Sequence, residues 1–202
     1  MYACPMLEYI IKSSRVKDLI PLILFSCVIG IHVEAIGKEG YAMKLDIKST
    51  AFGEGNSIPK QYTCDGADIS PQLSWSQPPE GTGSMVLICD DPDAPMGTWV
   101  HWVLYGLSPD TLEISENIPD DKEVLGGAKH GVNDFHKYDY GGLCPPGGTH
   151  RYFFKLYAVD TEVVDLDPGA TKDEVLVAIK GHVLAEGELM VATVGRVLKL
   201  VI

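Results

Sequence analysis

The chain is short of positive charge. It carries 16 Lys and Arg against 28 Asp and Glu, a formal net charge of −12. The first 43 residues hold four of each sign (Lys12, Arg15, Lys17 and Lys38 against Glu8, Asp18, Glu34 and Glu39), so the whole deficit lies in residues 44–202. A surface of that sign repels phosphate backbones, which argues against nucleic-acid binding. An anionic ligand would need a local nest of donors working against the general field. HExxH and GxSxG are missing, as are internal repeats and low-complexity segments. The first two absences remove the familiar zinc-protease and serine-hydrolase arrangements. With 46% hydrophobic residues the chain reads as folded rather than disordered.

Lys12, Arg15 and Lys17 precede Leu19–Ile31, an uncharged stretch of 13 residues. That is short of the roughly 20 needed to span a bilayer and matches the apolar region of a secretory leader. Val33-Glu-Ala35 is a passable cleavage site, Leu24-Phe-Ser-Cys27 loosely resembles a lipoprotein box, and Met43-Lys-Leu-Asp46 reads as an ordinary cytosolic start. Residues 1–42 are therefore expected to be a leader, a membrane tether or an upstream extension, and residues 43–202 a single domain. Export to the periplasm or exterior, or tethering, follows if the leader is translated. A cytoplasmic site follows otherwise.

What is abundant is punctuation. Gly53-Glu-Gly55, Pro78-Pro-Glu-Gly81, Ser108-Pro-Asp110, Gly126-Gly127, Gly141-Gly142 and Cys144-Pro-Pro-Gly-Gly148 separate short strand-like runs. Gln72–Ser76, Met85–Cys89, Trp99–Tyr105, Tyr152–Val159 and Glu188–Val194 are the clearest, and such a pattern argues for a mainly β sandwich. Thr171-Lys-Asp-Glu174 reads as a capping box opening one helix. Val175, Ile179, His182 and Val183 fall at helical spacing, and Gly187 is positioned to end it. Leu125–Tyr140 is expected to cover one face of the sheet.

Asp90, Asp91 and Asp93 crowd the end of the apolar run Met85–Cys89, and Pro92 and Pro95 stiffen the turn that follows. An acidic surface turn is the ordinary alternative. Alternation along Trp99–Tyr105 puts His101 on a face with Trp99, Val103 and Tyr105. Alternation along His150–Ala158 puts His150 with Tyr152, Phe154 and Leu156. Each histidine is a candidate for an apolar-walled pocket, with a hydrogen-bonded core histidine as the plainer reading. His130, His136 and His182 read as solvent-facing or incidental, and Asp90 as a solvated strand end. Cys89 reads as a buried small hydrophobe. Cys64 and Cys144 sit in loops and could pair if the domain is exported.

Asp91-Pro-Asp-Ala-Pro95, Trp99-Val-His-Trp102, Cys144-Pro-Pro-Gly-Gly-Thr-His-Arg-Tyr152 and Phe154-Lys-Leu-Tyr157 occur in that order. They are preceded by Tyr62-Thr-Cys-Asp-Gly66 and Ser70-Pro-Gln-Leu-Ser-Trp75. In combination they closely resemble the phosphatidylethanolamine-binding (Raf-kinase-inhibitor-like) proteins, in their bacterial and archaeal branch, over about residues 43–196. The resemblance implies an antiparallel β-sandwich with a C-terminal helix and a small pocket. That pocket accepts a phosphate-containing anion or phospholipid head group, without catalysis and without a cofactor. By motif position Asp91, His101, His150 and Tyr152 belong to the pocket, Pro95, Pro145, Pro146 and Gly147 to its rim, and Asp93 to a brace for the loop. A kinase or protease partner and a homodimer are further implied possibilities.

On this reading an imidazole and the Tyr152 hydroxyl donate to the anion, backbone N–H groups around Gly147 and Gly148 form a nest, and Asp91 raises a histidine pKa. Asp91 could equally meet an ammonium. The family's C-terminal Gly-Thr-Tyr pattern is replaced by Ala192-Thr-Val194, so no contact is carried over there. The region of the animal proteins' insertions is shorter, so their kinase regulation is not carried over. A metal-dependent hydrolase built on Asp90, Asp91, Asp93, His101 and His150 is the competing reading.

Overall fold

The computed structural model describes residues 43–163 and 166–195. The readings made for residues 1–42 lie outside them. Among the described residues ten strands and one α-helix follow in order: β1 Met43–Lys44, β2 Ile47–Lys48, β3 Leu73–Trp75, β4 Ser84–Asp91, β5 Trp99–Leu107, β6 Glu113–Ile114, β7 Glu123–Val124, β8 Ala128–His130, β9 Thr149–Val159, α1 Lys172–Ala178 and β10 Val183–Val194. Seven strands form one sheet in the order β1-β10-β9-β4-β5-β8-β7. β2-β3-β6 form a second. The expected sandwich is present. Among the described residues no helix is long and apolar enough to cross a membrane.

β4 is buried along its entire length because the sheet is covered on both sides. Met85, Leu87 and Cys89 point to the sandwich core with Leu73 and Trp75 of β3 and Ile114 of β6. Val86 and Ile88 point the other way, against Val175 and Ile179 at α1. Two-residue alternation therefore carries Asp91 onto the sandwich face and Asp90 onto the helix face.

The helix opens as expected. Thr171 accepts from the Glu174 N–H while the Glu174 carboxylate accepts from the Thr171 N–H, a complete capping box. It ends earlier than expected, at Ala178, and Gly181 then turns with φ 85°. His182 lies in that turn, and Val183 begins β10. Gly187 is not a helix end. It sits inside β10, where an added Cβ would lie 2.3 Å from the Leu45 carbonyl oxygen beside β1. Helical spacing was matched by accident across a tight turn. Gly187→Ala is expected to cost about 1–3 kcal/mol by overpacking, measured by chemical denaturation.

The segment Leu125–Tyr140 also behaves differently from expectation. Its start forms β8, which extends the sheet by pairing with β5. Its later part is stitched to the start of β5: the Val100 N–H donates to Asp134 Oδ2 (2.7 Å) and the Gly141 N–H donates to the His101 carbonyl (2.8 Å). His130 is fully buried rather than solvent-facing, its ring 6.2 Å from that of Trp102. His182 pairs with Asp160 at 2.7 Å.

Candidate functional site

The strand end of β4, the start of β5 and two loops enclose a slot of about 310 Å³. Asp91, Ala94, Pro95, Met96, Trp99, His101, Phe135, Cys144 and Pro146 line it. The wall is mostly apolar, and no Lys or Arg is among its residues.

His101 reaches this slot through a bulge. Asp90 pairs with Val100 and Cys89 with Trp102, so His101 is the extra residue with no partner on β4. Simple alternation fails there. Val103 and Tyr105 face the helix side, whereas His101 turns to the sandwich side, 5.2 Å from the Tyr152 ring and 5.3 Å from Phe135. Trp99 stays with it, 5.5 Å from Phe135. Phe135 is held over the slot by Asn133, whose side-chain carbonyl accepts from the Phe135 and Lys137 N–H groups. Gly141 leaves the room, since a Cβ there would come within 2.5 Å of the Phe135 ring.

Asp91 is 3% exposed. Its Oδ2 lies 2.7 Å from His150 Nδ1, and its Oδ1 accepts the Asp93 N–H at 2.8 Å. Asp91 therefore orients His150, not His101. His101 Nδ1 instead lies 2.7 Å from the Gly141 carbonyl. A carbonyl only accepts, so Nδ1 carries the proton and Nε2 is left bare toward the slot. Burial lowers the pKa of His101, with the Gly141 carbonyl and Asp91 opposing. Asp91 thus acts on the ligand-facing imidazole in the expected direction, but burial outweighs it and the net shift is downward.

Asp93 is the brace of the turn. It accepts from Arg151 Nε (2.9 Å), Nη2 (2.7 Å) and the Arg151 backbone N–H (3.0 Å), and these bonds hold its carboxyl well below the usual range. Arg151 was missed in the sequence, although its place beside His150 was a signal.

His150 and Tyr152 share a face on β9 as alternation required, their rings 6.4 Å apart, but both stand behind the slot wall. Tyr152 is fully buried, with its hydroxyl beside the Asp91 carboxylate. Burial, with Asp91 adding, pushes its pKa up. It is not placed to donate to a ligand. Pro145 faces a neighbouring cavity rather than the slot, and Gly147 packs close to Gly195. The expected nest around Gly147 and Gly148 is therefore not on the slot wall. Pro146 and Cys144 are on it. Cys144 is joined to Cys64 by a disulfide, and Cys89 is free and buried.

Asp90 is fully buried, not a solvated strand end. Lys155 Nζ lies 2.8 Å and Lys172 Nζ 2.5 Å from its carboxylate. The three aspartates thus diverge: Asp90 toward the helix, Asp91 toward the slot, Asp93 toward Arg151. Among the described residues no cluster of three or more His, Cys, Asp or Glu is arranged to hold a metal ion.

Comparison with known proteins bears on the same strands and loops. Residues 48–194 match the family model described as phosphatidylethanolamine-binding protein. The chain belongs to the phosphatidylethanolamine-binding protein family. A relative from Methanothermobacter thermautotrophicus, named only as a UPF0098 protein, is 50% identical over 146 residues, 72% of this chain and 96% of the relative. A UPF0098 protein from Pyrococcus horikoshii is 43% identical over 179 residues, 86% of this chain and 88% of that one. Two solved structures superpose. A phosphatidylethanolamine-binding protein homologue from Chlamydia trachomatis has a TM-score of 0.69 at 38% identity, covering 76% of this chain and 99% of that one. Escherichia coli YbcL, titled a new member of the mammalian family, has a TM-score of 0.70 at 29% identity with the same coverage. The slot-lining Asp91, Pro95, Trp99 and His101 come from the motifs that first suggested this family.

Proposed function

We propose that this member of the phosphatidylethanolamine-binding protein family is a binding protein whose slot takes a zwitterionic, phosphate-bearing head group of the phosphorylethanolamine class, without chemical conversion. The observation that carries the reading is Asp91. It is a 3% exposed carboxylate set into the wall of an otherwise apolar slot, next to a histidine whose Nε2 is free. A bare anion would meet that carboxylate with no Lys or Arg in the slot wall to offset it. A head group with both charges brings its own ammonium to Asp91, with the Trp99 and Phe135 rings offering further contact for a cation. The slot is also small, at the low end for ligand pockets.

The hydrolase alternative gains no support from carboxylates that point in three directions. Export is favoured by the Cys64–Cys144 disulfide, since such bonds persist in oxidising compartments. A titration calorimetry experiment with glycerophosphoethanolamine tests the ligand class. Saturable one-to-one binding is expected, weakened at least tenfold in Asp91→Asn. No binding at millimolar concentration, or affinity indifferent to Asp91→Asn, would refute it.

A further inference from the structure

The slot shares a wall with another cavity. A space of about 490 Å³ lies beside it, bordered by Cys64, Asp65, Cys144, Pro145, Pro146 and Val194 among others. Cys144 and Pro146 line both spaces, so the loop that begins at Cys144 is the partition between them. The disulfide anchors that loop, and both of its half-cystines are exposed. An exposed disulfide is the kind that thiols open. We propose that the Cys64–Cys144 disulfide is a thiol-exchange site entered from this second cavity, that Cys64 is the sulfur attacked by small cationic or neutral thiols, and that opening it releases the wall of the slot without unfolding the domain.

The step is a sulfur–sulfur exchange. A thiolate attacks Cys64 Sγ and a new S–S bond forms between them. The Cys64–Cys144 bond breaks, its electron pair leaves on Cys144 Sγ, and that sulfur takes a proton from water. A second thiol attacking the mixed disulfide frees Cys64 and yields the oxidised small-molecule disulfide. Two thiols have then passed two electrons to the protein. The leaving sulfur sets the direction. A thiolate left on Cys64 would stand beside the like charge of Asp65, its chain neighbour on the same cavity wall. Cys144 is followed by Pro145, Pro146, Gly147 and Gly148, and Asp91, the carboxylate with which it shares the slot wall, is already bonded to His150.

Charge also selects the thiol. Among the described residues no Lys or Arg borders this cavity, and residues 44–202 carry the whole net charge of −12. An anionic thiolate approaches against that field, whereas an ammonium on the same molecule offsets it. The fold survives the opening because other bonds hold the chain up to Leu143. Tyr140 donates to the Tyr62 carbonyl, the Gly142 N–H donates to Asp68, and Thr63 pairs with Leu143. Beyond Cys144 the next tie is the Gly195 N–H donating to the Gly148 carbonyl at 2.7 Å, after which β9 begins. Residues 144–148 are therefore the stretch released. The proposal holds whatever the slot binds.

The experiment treats the full chain with cysteamine, 2-mercaptoethanol or mercaptoacetate at about pH 8, near the ordinary thiol range. Samples are quenched with iodoacetamide and mapped by peptide mass spectrometry. Early samples should carry the small thiol on Cys64 and the alkyl group on Cys144, and late ones the alkyl group on both. Cys89 should stay unmodified throughout. Per thiolate, cysteamine should react about tenfold faster than mercaptoacetate at low salt, a gap that narrows in concentrated salt. Amide exchange followed by nuclear magnetic resonance gives a second reading. In the reduced protein the Gly195 N–H should exchange roughly tenfold faster than in the oxidised one. The Gly141 N–H, held by the His101 carbonyl, should keep its rate.

A disulfide that opens only when the protein unfolds overturns the proposal. So does a mixed disulfide found on Cys144 with Cys64 alkylated, or a per-thiolate rate equal for all three thiols. Gly195 exchange unchanged by reduction overturns the release of the wall.

Discussion

Replacing Lys155 and Lys172 together by methionine is expected to lower the stability of the domain by about 3–5 kcal/mol, the usual range when a buried charge loses its partners. The cause is Asp90. Alternation along β4 forces it onto the face shared with Val86 and Ile88, where it is fully buried. It persists there because Lys155 reaches across from β9 and Lys172 down from the first turn of α1, at 2.8 and 2.5 Å. Both lysines remain partly exposed, at 29% and 19% of their side chains, so their ammonium groups retain some hydration while the carboxylate has none. Removing the lysines strands a carboxylate among valines and isoleucines. Removing the carboxylate alone, as Asp90→Leu, leaves two cations close enough to the surface to find water, and should cost less. The triple variant Asp90→Leu, Lys155→Met, Lys172→Met should recover most of the loss. Urea denaturation at pH 7 measures all three. A double variant within 1 kcal/mol of the parent would show that the carboxylate is rescued in some other way. Because Lys172 opens α1, the same interaction also tethers the helix to the sheet.

The elements most legible in the sequence were those whose determinants are local. β4 is a continuous apolar run, β9 alternates cleanly, and the Thr171–Glu174 box is four residues long. All three appear where their patterns put them. The failures came where a distant partner decides. Nothing in Trp99–Tyr105 signals that His101 has no opposite number on β4, so alternation assigned it to the wrong face. The bulge is a property of the pairing and not of the strand. His182 and Val183 matched a helical period and Gly187 looked like its end, but Gly181 turned the chain first and β9 claimed what followed. Asp90 looked solvated because both of its partners lie more than 60 residues away. For the slot, the motif residues Asp91, Pro95, His101 and Pro146 were legible. Phe135 and Met96 were not, because a loop aromatic or methionine acquires meaning only from the wall it completes. Tyr152 was misread in role rather than position. Its motif places it beside His150, but full burial withdraws its hydroxyl from any ligand.

Cys64→Ser combined with Cys144→Ser is expected to cost about 4–5 kcal/mol, the chain-entropy figure for a closed loop of this length. The bond spans 80 residues, enclosing β3 through β8, so reduction frees a large part of the unfolded chain. The folded state is less dependent on it. The same two loops are joined by the Tyr140 hydroxyl donating to the Tyr62 carbonyl (2.7 Å), by the Gly142 N–H donating to Asp68 (2.6 Å), and by a bridge between Thr63 and Leu143. The penalty should therefore appear as a lower denaturation midpoint with near-ultraviolet dichroism retained at low denaturant, since the effect acts mainly through the unfolded ensemble. A dithiol reductant added to the unmodified domain should reproduce the shift. Thiol titration provides the accompanying count. The native oxidised domain should expose none of Cys64, Cys89 and Cys144, and unfolding without reductant should release one, the buried Cys89. Three thiols released on unfolding would mean that the loops are held by the hydrogen bonds alone. The wall that Cys144 gives to the slot would then owe nothing to a covalent tie.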